Sequence, residues 1–240
     1  MRFNFMSVFG DLLSRWESDS FYPQETGPVS DNLYAIRDRD VNLFLYSDGE
    51  STLCIDAGYM NNDNLGSEFE KMGIDPASIT HLFLTHTDMD HAGGIDKDSR
   101  TDWFPNAKIF MGRDEECMIA RDATRMLFLL NPIEMSKAYV LLDDADLVHV
   151  GDVTVQAIAT PGHTLGHMAY LINGEILCTG DALVLKDEKV APFYRTWNMD
   201  HEKAIQSVRK IAALENVSVL CTAHTQCSRN FKDLMHPWCK

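Results

Sequence analysis

Residues 84–94 read LTHTDMDHAGG. Two histidines (His86, His91) and two aspartates (Asp88, Asp90) fall within six positions, directly after the apolar run ITHLFL. Such side chains prefer water. Crowding them where the chain leaves a strand brings charge repulsion and a burial cost. Residues two apart in an extended chain point to the same side, which groups His86 with Asp88. Asp90 and His91 sit where the chain turns into what HAGGI predicts as the opening of a helix. Gly93 and Gly94 let neighbouring backbone pass close by.

The same residue types recur past three further apolar runs. His163 follows VQAIATPG, Asp181 follows EILCTG and His224 follows VSVLCTA. If these four strand ends meet at one edge, seven ligand-type side chains converge. A divalent cation reverses the repulsion, and imidazole nitrogen with carboxylate oxygen suits zinc, iron or manganese. Seven donors exceed one tetrahedral ion and match two ions sharing a bridging group.

Around these runs the pattern alternates between β and α. VNLFLYSDGESTLCIDAGY predicts a hairpin about the turn SDGE, and NLGSEFEKMG a helix ending at Gly73. AKIFMG, VTVQAIAT, HMAYLI and EILCTG predict strands, and RDEECMIARDA a helix. HEKAIQSVRKIAAL predicts another helix, with Asp200 as N-cap and Ala204, Ile205, Val208, Ile211 and Ala212 buried. Residues 125–140 read as a helix broken at Asn131-Pro132, either core packing or a flap over a pocket. Strands with interspersed helices and no strict βαβ alternation point to a layered α/β sandwich.

Two parts are expected: residues 1–31, an amphipathic helix and linker, and residues 32–240, the catalytic domain. Phe5, Val8, Phe9, Leu12, Leu13 and Trp16 make one apolar stripe. The helix is expected to dock on its own domain or on a neighbouring subunit, which would give a homodimer. It lacks the basic face of a membrane anchor.

The chain has 240 residues, long enough for a substantial core, and a formal charge of −15. An acidic surface repels phosphate backbones and anionic lipid, which excludes nucleic acid as a partner. No run is long enough for stable membrane insertion. Cys54, Cys178 and Cys221 lie inside apolar runs, so the six cysteines read as reduced thiols and favour the cytoplasm. A small molecule is the expected substrate.

In five pieces and their order, the chain resembles the metallo-β-lactamase fold superfamily: CIDAG (54–58), THTDMDH (85–91), TPGHTLGH (160–167), CTGDAL (178–183) and CTAHT (221–225). The resemblance covers about residues 32 to 226. It implies a four-layer αββα sandwich with a metal site at one edge. His86, position 88 and His163 would hold the first metal; Asp90, His91 and His224 the second; Asp181 would bridge. Asp56 matches a buried aspartate behind the ligands, and His167 reads as support for its turn.

The family usually has histidine at position 88, where this chain has Asp88. One account makes Asp88 an oxygen ligand, shifting preference from zinc towards iron or manganese. The flavodiiron branch likewise carries a carboxylate there and binds iron. The competing account has Asp88 too short to reach, leaving the first site weak or empty. The expected cofactors are two divalent metal ions, zinc ahead of iron or manganese.

By this reading a metal-bound hydroxide cleaves a small ester, lactone, thioester or related bond, with Asp90 orienting the nucleophile. The alternative is a diiron redox protein acting on oxygen or nitric oxide with a separate electron donor. Sixteen residues follow His224, too few for the helical domain of glyoxalase II enzymes, so a single-domain lactonase or small-ester hydrolase is expected. Pocket walls are expected from residues 184–200, with Tyr194, Arg195 and Trp197 as substrate contacts.

Overall fold

In the run VNLFLYS successive side chains turn to opposite faces, and both faces are apolar, the pattern of a strand covered on two sides. The computed structural model describes residues 21–123 and 133–239. One sheet holds seven strands in sequence order: β1 (Gly27–Ser30), β2 (Leu33–Asp38), β3 (Val41–Ser47), β4 (Thr52–Ile55), β5 (His81–Phe83), β6 (Lys108–Gly112) and β7 (Tyr139–Leu142). A second sheet contains β8 (Leu147–Val150), β9 (Val153–Ala159), β10 (Met168–Ile172) and β11 (Ile176–Cys178). A separate hairpin, β12 (Leu183–Lys186) and β13 (Lys189–Pro192), comes next, and β14 (Val219–Cys221) returns to pair with β11.

Alternation along the strands makes the layers. Phe44, Tyr46 and Phe83 from the first sheet pack against Val153, Val155, Ala157 and Tyr170 from the second. Their neighbours Leu43, Leu45, Leu82 and Leu84 face outward against Leu65 and Phe69 of helix α1 (Leu65–Lys71). Beyond the short α2 (Glu116–Ile119), helix α3 (His201–Ala212) and α4 (Phe231–Met235) cover the other outer face with Val208, Ile211, Phe231 and Met235. The result is the αββα sandwich.

Strand direction decides where loops emerge. β10 is antiparallel to both β9 and β11, and β14 is parallel to β11. β9, β11 and β14 therefore run the same way, so the segments after them leave from one edge. In the first sheet β4 and β5 are parallel, and Asp56 and the HTDMDH stretch likewise share an end.

Several expectations are corrected. Residues 27–30, read as linker, form edge strand β1, paired antiparallel with β2; Pro28 is tolerated because it sits at an edge with a register shift. HAGGI opens only a single 3-10 turn, Gly93–Ile95. In α3, Asp200 caps as expected by accepting from Lys203 N–H at 3.0 Å, but Ser207 is buried and Ile205 only half-buried. The N-terminal apolar stripe and residues 125–132, read as the first part of a broken helix, lie outside the described residues. Residues 133–140, read as its second part, hold a bridge from Met135 to Asp96 and the start of β7 rather than helix, since Tyr139 and Val140 pair with β6. Among the described residues no helix is long and apolar enough to cross a membrane, and the six cysteines are free.

Candidate metal centre

Sharp turns carry the ligand-type residues out of the strands. Asp56 leaves β4 in a left-handed conformation, with φ of 65°, a strained state for most residues that Asp tolerates. Its carboxylate accepts from Thr85 N–H at 2.7 Å and from His91 Nδ1–H at 2.8 Å. A Cβ at Gly94 would run into the Ala57 carbonyl, so the glycine pair does permit the close backbone passage that the sequence suggests.

All seven predicted residues converge, and they divide into two groups. In the first, Asp88 Oδ2 lies 3.4 Å from His86 Nε2 and 3.3 Å from His163 Nε2, and Asp181 Oδ2 lies 3.2 Å from His163 Nε2. In the second, Asp90 Oδ2 lies 3.5 Å from His91 Nε2 and 3.3 Å from His224 Nε2. Asp181 Oδ1 stands 3.5 and 3.4 Å from those same nitrogens. Asp181 thus divides its two oxygens between the groups. Each group offers two imidazole nitrogens and two carboxylate oxygens.

Every imidazole is held by its far nitrogen. His86 Nδ1–H donates to Thr85 Oγ1 (3.0 Å), whose own hydroxyl donates to Asp56 (2.9 Å). His91 uses Asp56 itself, His163 uses Asn198 Oδ1 (3.3 Å), and His224 uses the carbonyl of Asp40 (2.7 Å). These partners assign the tautomers and leave the Nε2 lone pairs aimed inward. His167 supports the site rather than joining it: Nδ1–H donates to Thr160 Oγ1 at 2.8 Å and Nε2 accepts from Asp181 N–H at 3.1 Å.

Charges are shared unevenly without a cation. Burial, with His91 and His163 crowding it, holds His86 well below the usual histidine range. Burial also opposes protonation of His224, but the Asp181 and Asp90 carboxylates outweigh it and push that pKa up to about 10. Burial would raise Asp181, yet His224, His91 and His163 hold it well below ordinary carboxylates. His86 Nε2 and Asp181 Oδ1 are buried without a hydrogen-bond partner. Orphaned inward donors of this chemistry fit a divalent cation in each group.

Asp88 and Asp90 side chains are 12% and 20% exposed, whereas the imidazoles and Asp181 are at most 4% exposed, so solvent reaches the centre beside residues 88–90. Phe193 sets its ring edge-on to His163 at 4.8 Å, and Phe21 stacks on His224 at 4.4 Å. Tyr194 packs on both phenylalanines (5.7 and 5.4 Å). Arg195 is exposed, in the 3-10 turn Arg195–Trp197.

Phe21, Asp40, Phe193 and Asn198 were not among the residues picked out by sequence. Phe193 and Asn198 do fall in the 184–200 segment expected to wall the pocket. Phe21 and Asp40 carry no such signal.

The family model for the metallo-beta-lactamase superfamily matches residues 36–224. The chain belongs to this superfamily. Among superfamily relatives, it is 25% identical over 180 residues to the hydroxyacylglutathione hydrolase of Buchnera aphidicola, covering 75% of this chain and 60% of that protein. It is 26% identical over 179 residues to the N-acyl homoserine lactonase AttM of Agrobacterium fabrum, covering 69% and 65%. The chain therefore spans less than two thirds of the length of these relatives. A subclass B3 metallo-beta-lactamase from a soil metagenome library superposes with a TM-score of 0.65 at 20% identity, covering 84% of this chain and 80% of that one. Another B3 enzyme, described as having an active-site glutamic acid, gives 0.67 at 18% identity, covering 94% and 91%. These superpositions establish a shared fold, and the superfamily implies divalent metal ions.

Proposed function

We propose that this chain is a dinuclear metal-dependent hydrolase of a small ester, lactone or thioester. The observation that carries the proposal is Asp181, whose two oxygens serve two groups of identical donor type. His86, Asp88, His163 and Asp181 would hold one cation, and Asp90, His91, His224 and Asp181 the other. Bound there, divalent cations supply acidified water and Lewis-acid stabilisation of developing negative charge.

The protein's own groups do the rest. Asp90 is the most exposed of the seven and sits beside His91 and His224, so it is placed to orient an entering water and take its proton. Phe21 and Phe193 exclude solvent from the outer faces of His224 and His163, which strengthens electrostatic interactions inside. Tyr194, Arg195 and Trp197 follow Phe193 directly, and we assign them to the substrate wall, Arg195 for an anionic group. The names of the relatives, a lactonase and a hydroxyacylglutathione hydrolase, support an acyl-transfer substrate.

Asp88 within reach of two imidazoles supports ligation over the account in which it falls short. It makes the first group richer in oxygen than a histidine would, which favours iron or manganese alongside zinc. The same observation supports the diiron redox alternative. Elemental analysis, visible absorption, and a panel of lactone, thioester, ester and β-lactam substrates test both. A colourless protein that loses cleavage on chelation supports hydrolysis. Turnover that survives complete metal removal would sink both readings, and an Arg195→Ala protein with unchanged kinetics would remove that residue from the wall.

A further inference from the structure

Glu115 has no exposed surface and lies between β6 and α2, outside every ligand loop. A buried carboxylate is costly unless donors surround it. Oε1 accepts from Thr87 N–H at 2.9 Å and from the Thr87 hydroxyl at 2.8 Å. Oε2 accepts from the Thr164 hydroxyl at 2.6 Å and from Gly166 N–H at 3.2 Å. Among the described residues no Lys or Arg is bonded to it, so these four donors carry its solvation.

Where the donors sit is informative. Thr87 separates His86 from Asp88, and Thr164 follows His163. Glu115 therefore bonds to the chain beside His86, Asp88 and His163, the ligands of the first group. The Thr87 stretch runs on to Asp90 and His91 of the second, but none of the four bonds is made next to those residues or on the His224 loop. A Cβ at Gly166 would overlap the Glu115 main chain, and one at Gly112 the Gly166 carbonyl, so the three segments are packed without slack. The Asp56 carboxylate holds His91 of the second group directly and reaches His86 of the first only through the Thr85 hydroxyl.

We infer that Glu115 is a positioning residue that fixes the separation of the His86–Asp88 loop from the His163 loop and so sets the affinity of the first cation site. The inference rests on reading the cluster as a two-cation centre. Hydrogen-bonding partners behind metal ligands are typically worth about 10- to 100-fold in affinity.

The test is a titration of the chelated full-length protein with 113Cd, read by cadmium NMR and by competition with a chromophoric chelator. His163→Ala and His224→Ala proteins assign the two signals. The unaltered protein is expected to bind two ions. In Glu115→Ala the first-site affinity should fall about 10- to 100-fold while the second stays within about threefold. Glu115→Gln should fall between them, because its amide can still accept from Thr87 but cannot accept from Gly166 N–H. Should the alanine protein not fold, Thr164→Val removes one strut bond and should show the same selectivity at smaller size.

Equal loss at both sites, or lower thermal stability with both affinities unchanged, would overturn the inference and leave Glu115 a general folding element. Fewer than two ions on the unaltered protein would instead overturn the two-cation reading itself.

Discussion

The two halves of the centre have the same donors but different backing. Behind the second half stand a carboxylate (Asp56 on His91) and a main-chain carbonyl (Asp40 on His224). Behind the first stand neutral side chains, Thr85 on His86 and Asn198 on His163. Charged partners make stronger hydrogen bonds than neutral ones. The lesson is that similar affinity cannot be assumed from similar ligands: His91 leans directly on the Asp56 carboxylate, His86 reaches that carboxylate only through the Thr85 hydroxyl, and His163 leans on a neutral amide.

Removing what the halves share should have the largest effect. Asp181→Ala takes one oxygen from each group, and metal content after dialysis should drop from two ions to below one, with cleavage reduced more than about 100-fold. Asp56→Ala should come next. It strands Thr85 N–H and His91 Nδ1–H in the interior, at about 1–3 kcal/mol for each unsatisfied group. The melting temperature should fall, and calorimetric titration should show the second site weakened more than the first.

Asp88→His probes the asymmetry directly. It should keep the first site able to fill and raise its selectivity for zinc over iron or manganese by about tenfold (~1.4 kcal/mol) relative to the unaltered protein, read by competitive loading and elemental analysis. Asn198→Ala removes one neutral bond of about 0.5–1.5 kcal/mol. It should weaken the first site tenfold or less and leave the second unchanged.

In the chelated protein pH acts on the same asymmetry. His224 has its pKa raised to about 10 from an ordinary 6.5. A raised pKa stabilises the fold fully below about 6.5, and the benefit is lost as pH rises through about 10. His86, held low by burial, instead costs stability as pH falls below about 6.5. Thermal melts of chelated protein should decline on both sides by a few degrees. His91 shares the alkaline limb, since burial opposes its protonation but Asp90, Asp181 and Asp56 outweigh burial and hold it well above the usual histidine range. His224→Gln should therefore reduce that limb without abolishing it and leave the acid limb in place.

Much of this was legible in the sequence because strand ends announce themselves. His86, His163, Asp181 and His224 each follow an apolar run, and the sheets bring those ends to one edge. The donors behind the imidazoles left fainter traces. Asp40 contributes a carbonyl, which every residue possesses. Glu115 looks like any acidic residue at a helix start, and its role depends on loops 28 and 49 positions away. Phe21 reaches His224 from the opposite end of the chain. Strand β1, with sequence GPVS, lacks alternation and contains a proline, so only its partner β2 reveals it. HAGGI misled because closely spaced glycines there serve backbone approach rather than helix continuation.

The order of ligands along the chain carries over to biosynthesis. His86, Asp88, His163 and Asp181 all leave the ribosome before His224, which arrives after β14, the strand that pairs with β11. Because synthesis proceeds from the N-terminus, a nascent chain holds one full donor quartet while the other still lacks a member. A metal captured during translation would therefore meet the loop-held quartet first, and the late strand would complete the second.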